Sequence, residues 1–537
     1  MEERKESTGD SQTDSHENIS GLQLAAVLGS VTLVSFLMLL DTSIVATAIP
    51  RITSDFHSLD DVGWYGTAYL LANCSLQPLT GKLYTYFSNK WTYLAFFTVF
   101  EIGSALCGAA QSSNMLIIGR AVAGMGASGL FNGAFTIMHA SVPAPRQPAL
   151  LGIMLAFCQL GTVSGPLVGG ALTQHASWRW CFYINLPCAA VAIPLLIFIN
   201  IPDNAHTTSN KDSLSQLLHR LDLPGFALFA GASIQLLIAL NWGGTTYAWS
   251  SSTIIGLFCG SGVTVMVFIA WEHHQGLQAM VPLSLISRRV IWASCLNYGL
   301  FTGCILLSIY FLPIYFQAIR NATPTMSGVD ILPTILSNIV FSVLTGAAIG
   351  RVGYYLPFGV ASAAFNLIST ALLTTLTPTS STGVWIGFQI LQGVGRGLGF
   401  QVPIMAVQNN TPKELVSIAT ALVTFFMNMG AAVSLSLGET IFSTELARYL
   451  AQDAPSVDAA AVVAAGASAF REVVPADLLP EVLRAYCKAI TRVLVMGAAV
   501  GGGQFLVSFG TGWVSVKKEK KGDEESEETQ NVEREGR

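Results

Sequence analysis

The sequence predicts an all-α membrane protein with about fourteen transmembrane helices, and three observations favour this fold class. Hydrophobic residues make up 52% of the 537 residues and charged residues only 11%, whereas about a quarter of the residues in a soluble domain are charged. Apolar segments long enough to cross a hydrocarbon core of about 30 Å recur along the chain. Many of the 50 glycines lie inside these segments, where small residues let membrane helices pack closely.

A hydropathy window of about 19 residues separates the apolar segments from one another. The expected spans are 23–49, 62–80, 91–110, 115–138, 149–172, 180–201, 222–241, 252–271, 292–317, 328–349, 356–376, 384–407, 416–440 and 489–510. An even number of spans places both termini on the same side of the membrane.

Lys and Arg residues in the short loops indicate the orientation of the chain. The short loops on the side opposite the termini contain few Lys and Arg residues, chiefly Arg51, Arg179 and Arg320. The loops on the side of the termini carry Lys82, Lys90, Arg146, Lys211, Arg220, Arg288, Arg289, Arg351 and Lys413. We therefore expect both termini in the cytoplasm, and we expect the plasma membrane as the location, with the vacuolar membrane as the alternative.

A weak internal repeat divides the spans into two six-helix halves. Gly-x-Gly follows Arg120 in the fourth span and Gln389 in the twelfth, at similar distances. Two related halves of this kind place a transport site between them. We expect the following segments: a disordered cytoplasmic tail 1–22, a first half 23–201, a cytoplasmic linker 202–221, two extra helices 222–271, a second half 292–510 with an extracellular loop 443–488, and a charged cytoplasmic tail 511–537.

The fifth span contains Gly161, Gly165, Pro166, Gly169 and Gly170. In a soluble helix each interior Gly costs about 1 kcal/mol and Pro about 3 kcal/mol. In a bilayer, small residues at i and i+4 let two helices approach closely, and the carbonyl that Pro leaves free can be satisfied locally. The pattern therefore indicates a close helix crossing within a membrane.

Four segments together resemble the fourteen-span drug:proton antiporters of the major facilitator superfamily, over residues 30 to 510. They are Leu40-Asp41-Thr-Ser-Ile-Val-Ala-Thr-Ala-Ile-Pro50, Arg120-Ala-Val-Ala-Gly124, Gly161 to Gly170, and Trp178-Arg-Trp-Cys-Phe-Tyr-Ile-Asn185-Leu-Pro187. The resemblance implies a major facilitator fold that works by alternating access, and the fifth-span motif implies proton-coupled export. Fungal pumps for toxins and secondary metabolites are the members that the chain resembles most.

The loop Gly81-Lys82-Leu83-Tyr-Thr85-Tyr-Phe-Ser88-Asn89-Lys90 resembles the cytoplasmic gating motif of that superfamily. It departs from the motif because Thr85 stands where Asp is usual and because Ser88 and Asn89 replace Gly and Arg. The departure weakens the charge lock that the motif implies between the two halves. Gly81, Lys82 and Lys90 are the positions of the motif that we retain as candidates.

Ionisable residues within the spans need a reason to be there, because each costs at least about 2.5 kcal/mol on insertion scales. We assign Asp41, Glu101 and Arg120 to proton coupling. The alternatives are a static ion pair that positions helices and a neutral Glu101 that is hydrogen-bonded to a neighbouring helix. Arg396 and Glu439 are candidates for a pair across the twelfth and thirteenth spans.

A cavity for a large amphipathic solute is expected to be lined by aromatic and amide side chains, and packing or contact with lipid is the alternative role for each. With few acidic residues in the spans, a neutral or weakly acidic metabolite is the first choice of substrate. The candidate lining residues are Tyr65, Tyr69, Phe157, Gln159, Tyr310, Gln317, Phe425 and Asn428.

Several function classes are not supported by the sequence. The nine cysteines are scattered without a C-x-x-C pair, which argues against a metal site. Gly124-Met-Gly126-Ala-Ser-Gly129 matches a dinucleotide fingerprint but lacks the preceding strand. No Walker lysine motif and no basic surface with interleaved aromatic residues is found, so we expect neither an ATP-driven pump nor a nucleic-acid partner. We expect no enzyme activity, no cofactor and a monomer.

The function expected from the sequence is export of an organic toxin, drug or secondary metabolite by proton antiport. One alternative is a carrier of siderophores or basic amino acids with the same fold, and another is a nutrient sensor that does not transport. Asn321-Ala-Thr323 is an N-glycosylation acceptor, which the orientation places in an outer loop.

Overall fold

The computed structural model describes residues 21–58, 61–143, 145–199, 201, 220–244, 246–458, 462, 470–471 and 474–516. These residues form helices and two isolated β-bridges, with no β-strand among them. Twelve of the helices are long and apolar enough to cross a membrane. The prediction of an all-α, multi-pass membrane protein is therefore confirmed.

Fourteen long helices follow one another in the described part of the chain. They are α1 (Leu22–Phe56), α2 (Val62–Tyr86), α3 (Asn89–Gly108), α4 (Ser113–Ser141), α5 (Gln147–His175), α6 (Asn185–Phe198), α7 (Leu223–Trp242), α8 (Ser252–Gln275), α9 (Arg289–Ile314), α10 (Leu332–Val352), α11 (Leu356–Leu373), α12 (Thr382–Gly399), α13 (Val416–Asp453) and α14 (Leu479–Ser508). Short helical segments adjoin some of them, including Trp180–Tyr183, Tyr315–Ile319, Pro324–Asp330 and Val402–Asn410.

Two of the fourteen helices, α2 and α12, fall outside the criterion of length and apolarity. Both coincide with expected spans, 62–80 and 384–407. Their polar side chains are buried inside the protein rather than exposed to lipid: Gln77 and Thr80 on α2 and Gln389 and Gln392 on α12 are at most 2% exposed. Hydropathy alone underestimates the ability of such helices to span a membrane, because it does not distinguish side chains that face protein from those that face lipid.

The segment 443–488, which we expected to be a loop, is helical at both ends. α13 continues to Asp453, and α14 already begins at Leu479. The last turns of α13 bury Leu446, Tyr449 and Leu450 in a cluster that includes residues of α14, so these turns are stabilised by protein contacts outside the apolar window. The predicted tails and linker lie largely outside the described residues, which exclude 1–20, 202–219 and 517–537.

The packing of the helices repeats between the first six and the last six. In the first set α1 packs against α5, and both α2 and α3 pack against α4. In the second set α9 packs against α13, and both α10 and α11 pack against α12. The extra helices α7 and α8 pack against each other, and α7 also contacts α2 and α13. Two sets of helices with the same pairings are what an internal repeat of six helices produces.

The two halves meet through α2 with α13 and through α5 with α10. A Cβ added at Gly81 of α2 would lie 2.7 Å from Cα of Ile418 in α13. In the other pair of helices, the Ser342 hydroxyl of α10 donates to the carbonyl of Gly152 in α5, at 3.3 Å. Both contacts lie toward the end of the bundle that contains Lys82, which we call the Lys82 end. The halves are therefore closely packed at the Lys82 end.

Candidate functional site

A buried ion pair joins α1 and α4 inside the first half. Arg120 Nη1 donates to Asp41 Oδ2 at 2.6 Å, and both side chains are at most 2% exposed. A charge-assisted hydrogen bond of this length is stronger than one between neutral groups. Because removing one partner leaves an uncompensated buried charge, breaking such a pair typically costs about 3–5 kcal/mol.

Two tyrosines of α2 complete the surroundings of Arg120. Its Nε donates to the main-chain carbonyl of Tyr65 at 3.0 Å, and its guanidinium carbon lies 4.5 Å from the ring centroid of Tyr69. The planar guanidinium thus forms a cation–π contact and two hydrogen bonds in different directions, which a lysine ammonium could not reproduce. α2 reaches this position because Gly124 of α4 lies against the backbone of Tyr69, where a Cβ would overlap.

Asn185 and Ser104 connect the ion pair to two further helices. Asn185 Nδ2 donates to Asp41 Oδ1 at 3.3 Å and to Ser104 Oγ at 3.0 Å. Asp41 therefore accepts hydrogen bonds from two helices, α4 and α6. From the sequence, Asn185 was part of a motif but had no assigned role, and Ser104 was not among the candidates.

The motif that leads into α6 explains how Asn185 is held in place. Trp178 is 1% exposed, and its Nε1 donates to Asp55 Oδ2 near the end of α1, at 2.8 Å. Its ring packs edge-on against Phe56 with 5.6 Å between centroids. These contacts fix the turn before α6 against α1, so the first residue of α6 lies beside Asp41.

Glu101 is the second carboxylate of this region. It lies on α3 one turn before Ser104, is 7% exposed, and has two buried carboxylate oxygens without a hydrogen-bond partner among the described residues. A charged carboxylate is costly in such surroundings. The hydrogen bond from Glu101 to a neighbouring helix, which was our alternative reading, is therefore not found in this part of the chain.

Three of the four glycines in the fifth-helix motif lie against α1. A Cβ added at Gly161 would lie 2.5 Å from the carbonyl oxygen of Phe36, and Cβ atoms at Gly165 and Gly169 would overlap Ser43 and Thr47. Gly170 differs from them, because its Cβ would meet nothing within 4 Å. The close crossing that the motif indicated is thus with α1, the helix that carries Asp41.

Lys82 is held by the segments that flank the extra helices. It is 1% exposed, and its Nζ donates to the carbonyl oxygens of Arg220 at 2.9 Å and Gln278 at 2.7 Å. The negative charges of Asp222 and Glu272 also act on the ammonium. Two main-chain carbonyls thus hold a buried cation at the Lys82 end, and Asp222 and Glu272 lie near enough for their charges to act on it.

Asp222 and Glu272 are themselves fixed by hydrogen bonds from the chain around them. Asp222 accepts from the Trp271 indole at 2.8 Å and from the amide of Met280 at 2.9 Å, and Glu272 accepts from the amide of Val281 at 2.8 Å. The sequence alone does not connect these residues with Lys82, because they follow it by 140 positions or more and belong to the region of the two extra helices.

The remaining positions of the gating motif have other contacts. Thr85, which stands in place of the usual Asp, donates to the carbonyl of Gly81 in its own helix at 2.8 Å. Lys90 Nζ donates to the carbonyl of Ile197 at the end of α6. The link from α2 to the second half is formed by the contact of Gly81 with α13 and by a hydrogen bond that Gln77 Nε2 donates to Thr424 Oγ1 at 2.8 Å, and not by a carboxylate at position 85.

The candidate cavity residues fall into three groups. Tyr65 and Tyr69 belong to the surroundings of Arg120, as described above. Phe425 is 8% exposed and packs against Phe229 of α7, with 4.7 Å between ring centroids. Its position places it at the junction between α13 and the extra helices.

The other five candidates lie at separate places in the bundle. Phe157 and Tyr310 are 54% and 47% exposed. Gln317 Nε2 donates to Ser327 Oγ at 3.4 Å, which gives it a local partner. Gln159 and Asn428 are half-buried.

The expected pair between Arg396 and Glu439 is wrong. Arg396 is 6% exposed and forms no ion pair among the residues that the structure describes, whereas Glu439 lies on an exposed face of α13. The glycosylation candidate Asn321 is exposed and has a positive φ of 57°, a conformation that Asn tolerates better than most residues. Its modification stays a prediction.

Comparison with known proteins agrees with this architecture. The profile of the Major Facilitator Superfamily matches residues 31–435. A solved structure of a bacterial homologue of the human lysosomal transporter Spinster, in an inward-facing and unoccupied conformation, superposes with a TM-score of 0.55 over 92% of this chain and 98% of that one. At 14% identity this likeness shows the fold alone.

Curated fungal proteins are much more similar in sequence. The MFS-type transporter pigP of Monascus ruber is 52% identical over 94% of this chain and 89% of its own length. The efflux pump mokI of Monascus pilosus is 50% identical over 93% of both chains, and the efflux pump mlcE of Penicillium citrinum is 48% identical over 96% and 95%. With this profile match and these relatives, the chain belongs to the Major Facilitator Superfamily.

Proposed function

We propose that this protein is a secondary active transporter that exports a small organic metabolite in exchange for protons. The observation that carries the proposal is the buried pair of Asp41 and Arg120, which lies where α1, α2, α4 and α6 meet. Asp41 can gain and lose a proton, whereas Arg120 keeps its charge at any physiological pH. Protonation of Asp41 removes the attraction between them and leaves Arg120 free to change partners.

The exchange works by alternating access, because protonation changes the relative stability of two arrangements of the halves. With Asp41 ionised, the pair holds α1 to α4, and the halves are closely packed at the Lys82 end. Under the orientation that the Lys and Arg residues favour, that end is cytoplasmic, and we assign this arrangement to the outward-open form. Protonation from outside then favours the inward-open form, from which the proton is released and the metabolite is taken up.

Export rather than import is supported by the names of the relatives and by the resemblance of the α5 glycine motif to that of proton-coupled exporters. Relatives at 48–50% identity over nearly the whole chain are named efflux pumps. A siderophore or basic amino-acid carrier and a nutrient sensor without transport activity are the competing functions. We also propose a monomer in the plasma membrane, with the vacuolar membrane as the alternative and with both termini in the cytoplasm.

The test compares the accumulation of a metabolite panel in yeast cells with and without the protein. Export predicts lower intracellular levels of particular organic metabolites, and a protonophore should abolish the difference because it removes the proton gradient. A carrier of siderophores or basic amino acids predicts changes in those solutes instead. Unchanged levels of every solute, with the protein correctly located, would favour the sensor and contradict transport.

A further inference from the structure

Arg396 of α12 is a buried cation for which the described structure contains no counter-charge. It is 6% exposed, its Nε is buried without a hydrogen-bond partner, and no ion pair, hydrogen bond or ring contact of its guanidinium occurs among the described residues. The contrast with Arg120, which has Asp41 and two other contacts, is complete. A buried charge without partners is unfavourable unless a ligand supplies them.

The packing of α12 shows which way Arg396 projects. Gly393 and Gly397 lie against α10, where an added Cβ at Gly397 would be 2.7 Å from Phe341 Cβ. Gly395 lies against α11, where an added Cβ would be 3.0 Å from the amide nitrogen of Asn366. At 3.6 residues per turn, position 396 falls between these two contact faces.

The same side of α12 continues toward α9, the first helix of the second half. Phe400, one turn after Arg396, packs against Tyr298 and Phe301 of α9, with ring centroids 5.7 and 5.9 Å away. Gln392, one turn before Arg396, shares its face because residues four apart are neighbours on a helix. Arg396 therefore lies on the interior side of α12, near the middle of the helical segments from 382 to 410.

Several polar side chains near Arg396 in the chain have buried nitrogen atoms without a hydrogen-bond partner. Buried nitrogens without an acceptor include Gln392 Nε2, Arg396 Nε and Gln401 Nε2. Gln401 follows α12, and its Oε1 would be 3.4 Å from a Cβ at Gly152 of α5, so it lies at the junction of the halves. The amide oxygen of Gln401 is likewise without a partner, so Gln401 is not specifically a donor. Gln392 Nε2 and the charged Arg396 Nε are two unused donors one turn apart, and they are complementary to an anionic group with several acceptor oxygens.

We infer that Arg396, assisted by Gln392, binds a carboxylate or similar acidic group of the exported metabolite. The inference rests on the proposed export function and defines its substrate class. A guanidinium can hold a carboxylate through two parallel hydrogen bonds, and the first half offers no equivalent group because Arg120 is already paired. A bound carboxylate neutralises a charge for which the described residues supply no partner.

The first experiment measures which compounds are exported by the wild type and by Arg396→Gln. Yeast cells expressing either protein are loaded with an organic extract of a metabolite-producing fungal culture, and exported compounds are identified by mass spectrometry. We expect acidic compounds among those exported, and about a tenfold or greater loss of their export in Arg396→Gln, since hydrogen bonds to charged groups contribute about 1.5–3 kcal/mol. Neutral compounds should be affected less, and Arg396→Lys should restore part of the acidic export.

Two results would overturn the inference while leaving export intact: exported compounds that are all neutral or cationic, and equal export of acidic compounds by the wild type and Arg396→Gln. Absence of export of any compound by the wild type would instead contradict the proposed function itself. Fluorescence-detected size-exclusion chromatography of each variant checks that it is folded and inserted.

The second experiment needs no substrate. Replacing Arg396 by Met removes an unpaired buried charge and keeps an apolar side chain of similar length, so the thermal midpoint of the ligand-free protein should be unchanged or higher. Arg120→Met is the matched control and should lower the midpoint, because it leaves Asp41 without its partner. A lower midpoint for Arg396→Met would indicate a structural role and overturn the inference.

An acidic lipid headgroup offers the same chemistry as an acidic metabolite. Nanodiscs of phosphatidylcholine with and without phosphatidylglycerol separate the two sources. If phosphatidylglycerol raises the thermal midpoint of the wild type but not of Arg396→Met, the headgroup is the occupant and the assignment to the metabolite is wrong. If phosphatidylglycerol changes the thermal midpoint of both proteins equally, the assignment of the site to the metabolite is supported.

Discussion

Asp41 and Arg120, which are 79 positions apart, form an ion pair of 2.6 Å in which both side chains are buried. Asn185 donates to the other carboxylate oxygen of Asp41, and Tyr65 and Tyr69 contact Arg120. The pair is therefore connected to four helices of one half. A change in the charge of Asp41 alters contacts in all of them at once.

Asp41→Asn should abolish uphill export and retain part of the downhill exchange. Asn preserves the size and the hydrogen bonding of the side chain, but it cannot release a proton. Efflux from proteoliposomes at several imposed pH gradients measures the effect. Accumulation by Asp41→Asn that depends on the pH gradient as in the wild type would exclude Asp41 as the proton carrier, and Glu101 would then be the leading candidate.

Arg120→Lys should reduce transport by about tenfold or more, although the charge is preserved. An ammonium cannot donate to Asp41 and the Tyr65 carbonyl in the same planar arrangement and stack on Tyr69. Lys90→Arg is the control, since Lys90 lies away from the pair and donates to a single carbonyl. Equal loss in the two variants would indicate a general sensitivity to cation exchange and contradict a specific role for Arg120.

Gly165→Leu should block export without preventing membrane insertion. The Leu side chain would occupy the position of Ser43 in α1, so α1 and α5 would be forced apart. Gly170→Leu adds the same side chain where a Cβ meets nothing within 4 Å and should retain export. Surface expression and efflux are measured together, and equal efflux by the two variants would show that the crossing of α1 and α5 is not needed for transport.

Gly81→Val should favour the form in which the Lys82 end is open. The new side chain would push against Ile418 and Ala421 of α13, which lie 2.7 and 3.0 Å from the added Cβ. Spin labels on Arg146→Cys and Lys413→Cys report the separation of the halves, and we expect a longer distance in this variant. Gly66→Val, which adds the same side chain on α2 without a neighbour within 4 Å, should keep the original distance. An unchanged distance in Gly81→Val would contradict the role of this contact.

The orientation of the chain predicts that position 321 is accessible from outside the cell. In a cysteine-free background, Asn321→Cys should react with a membrane-impermeant maleimide on intact cells, because the Lys and Arg residues place this loop on the outer side. Arg146→Cys, which is also exposed, should react only after permeabilisation. The reverse pattern would invert the whole topology.

The fold was predictable because helical spans and their order are encoded locally. The expected limits of α4 and α5 differ from the observed ones by two or three residues at each end. The end of α13 was not predictable in this way, since Leu446 to Leu450 are stabilised by contacts with α14 and not by apolarity of their own segment. Local composition determines which segments cross the membrane, whereas tertiary contacts determine how far a helix continues beyond the membrane-spanning segment.

The site was predictable in part. Asp41 and Arg120 could be identified because charges are rare in spans, and the structure places them in contact. Asn185 and Ser104 could not be assigned roles, because uncharged polar residues are common in spans and only their neighbours distinguish them. The absence of a counter-charge at Arg396 is likewise a property of the packing, and sequence alone led to the wrong partner, Glu439.

The 38 residues of α13 form one continuous helix without a proline, which at 1.5 Å per residue is about 57 Å long. This is nearly twice the thickness of the hydrocarbon core, about 30 Å. Near one end Ile418 contacts α2, and near the other Tyr449 lies in the apolar cluster shared with α14. If α13 moves as one rigid helix, a tilt that separates it from α2 at the Lys82 end also moves its opposite end through a comparable distance. Opening on one side and closing on the other are then the same movement.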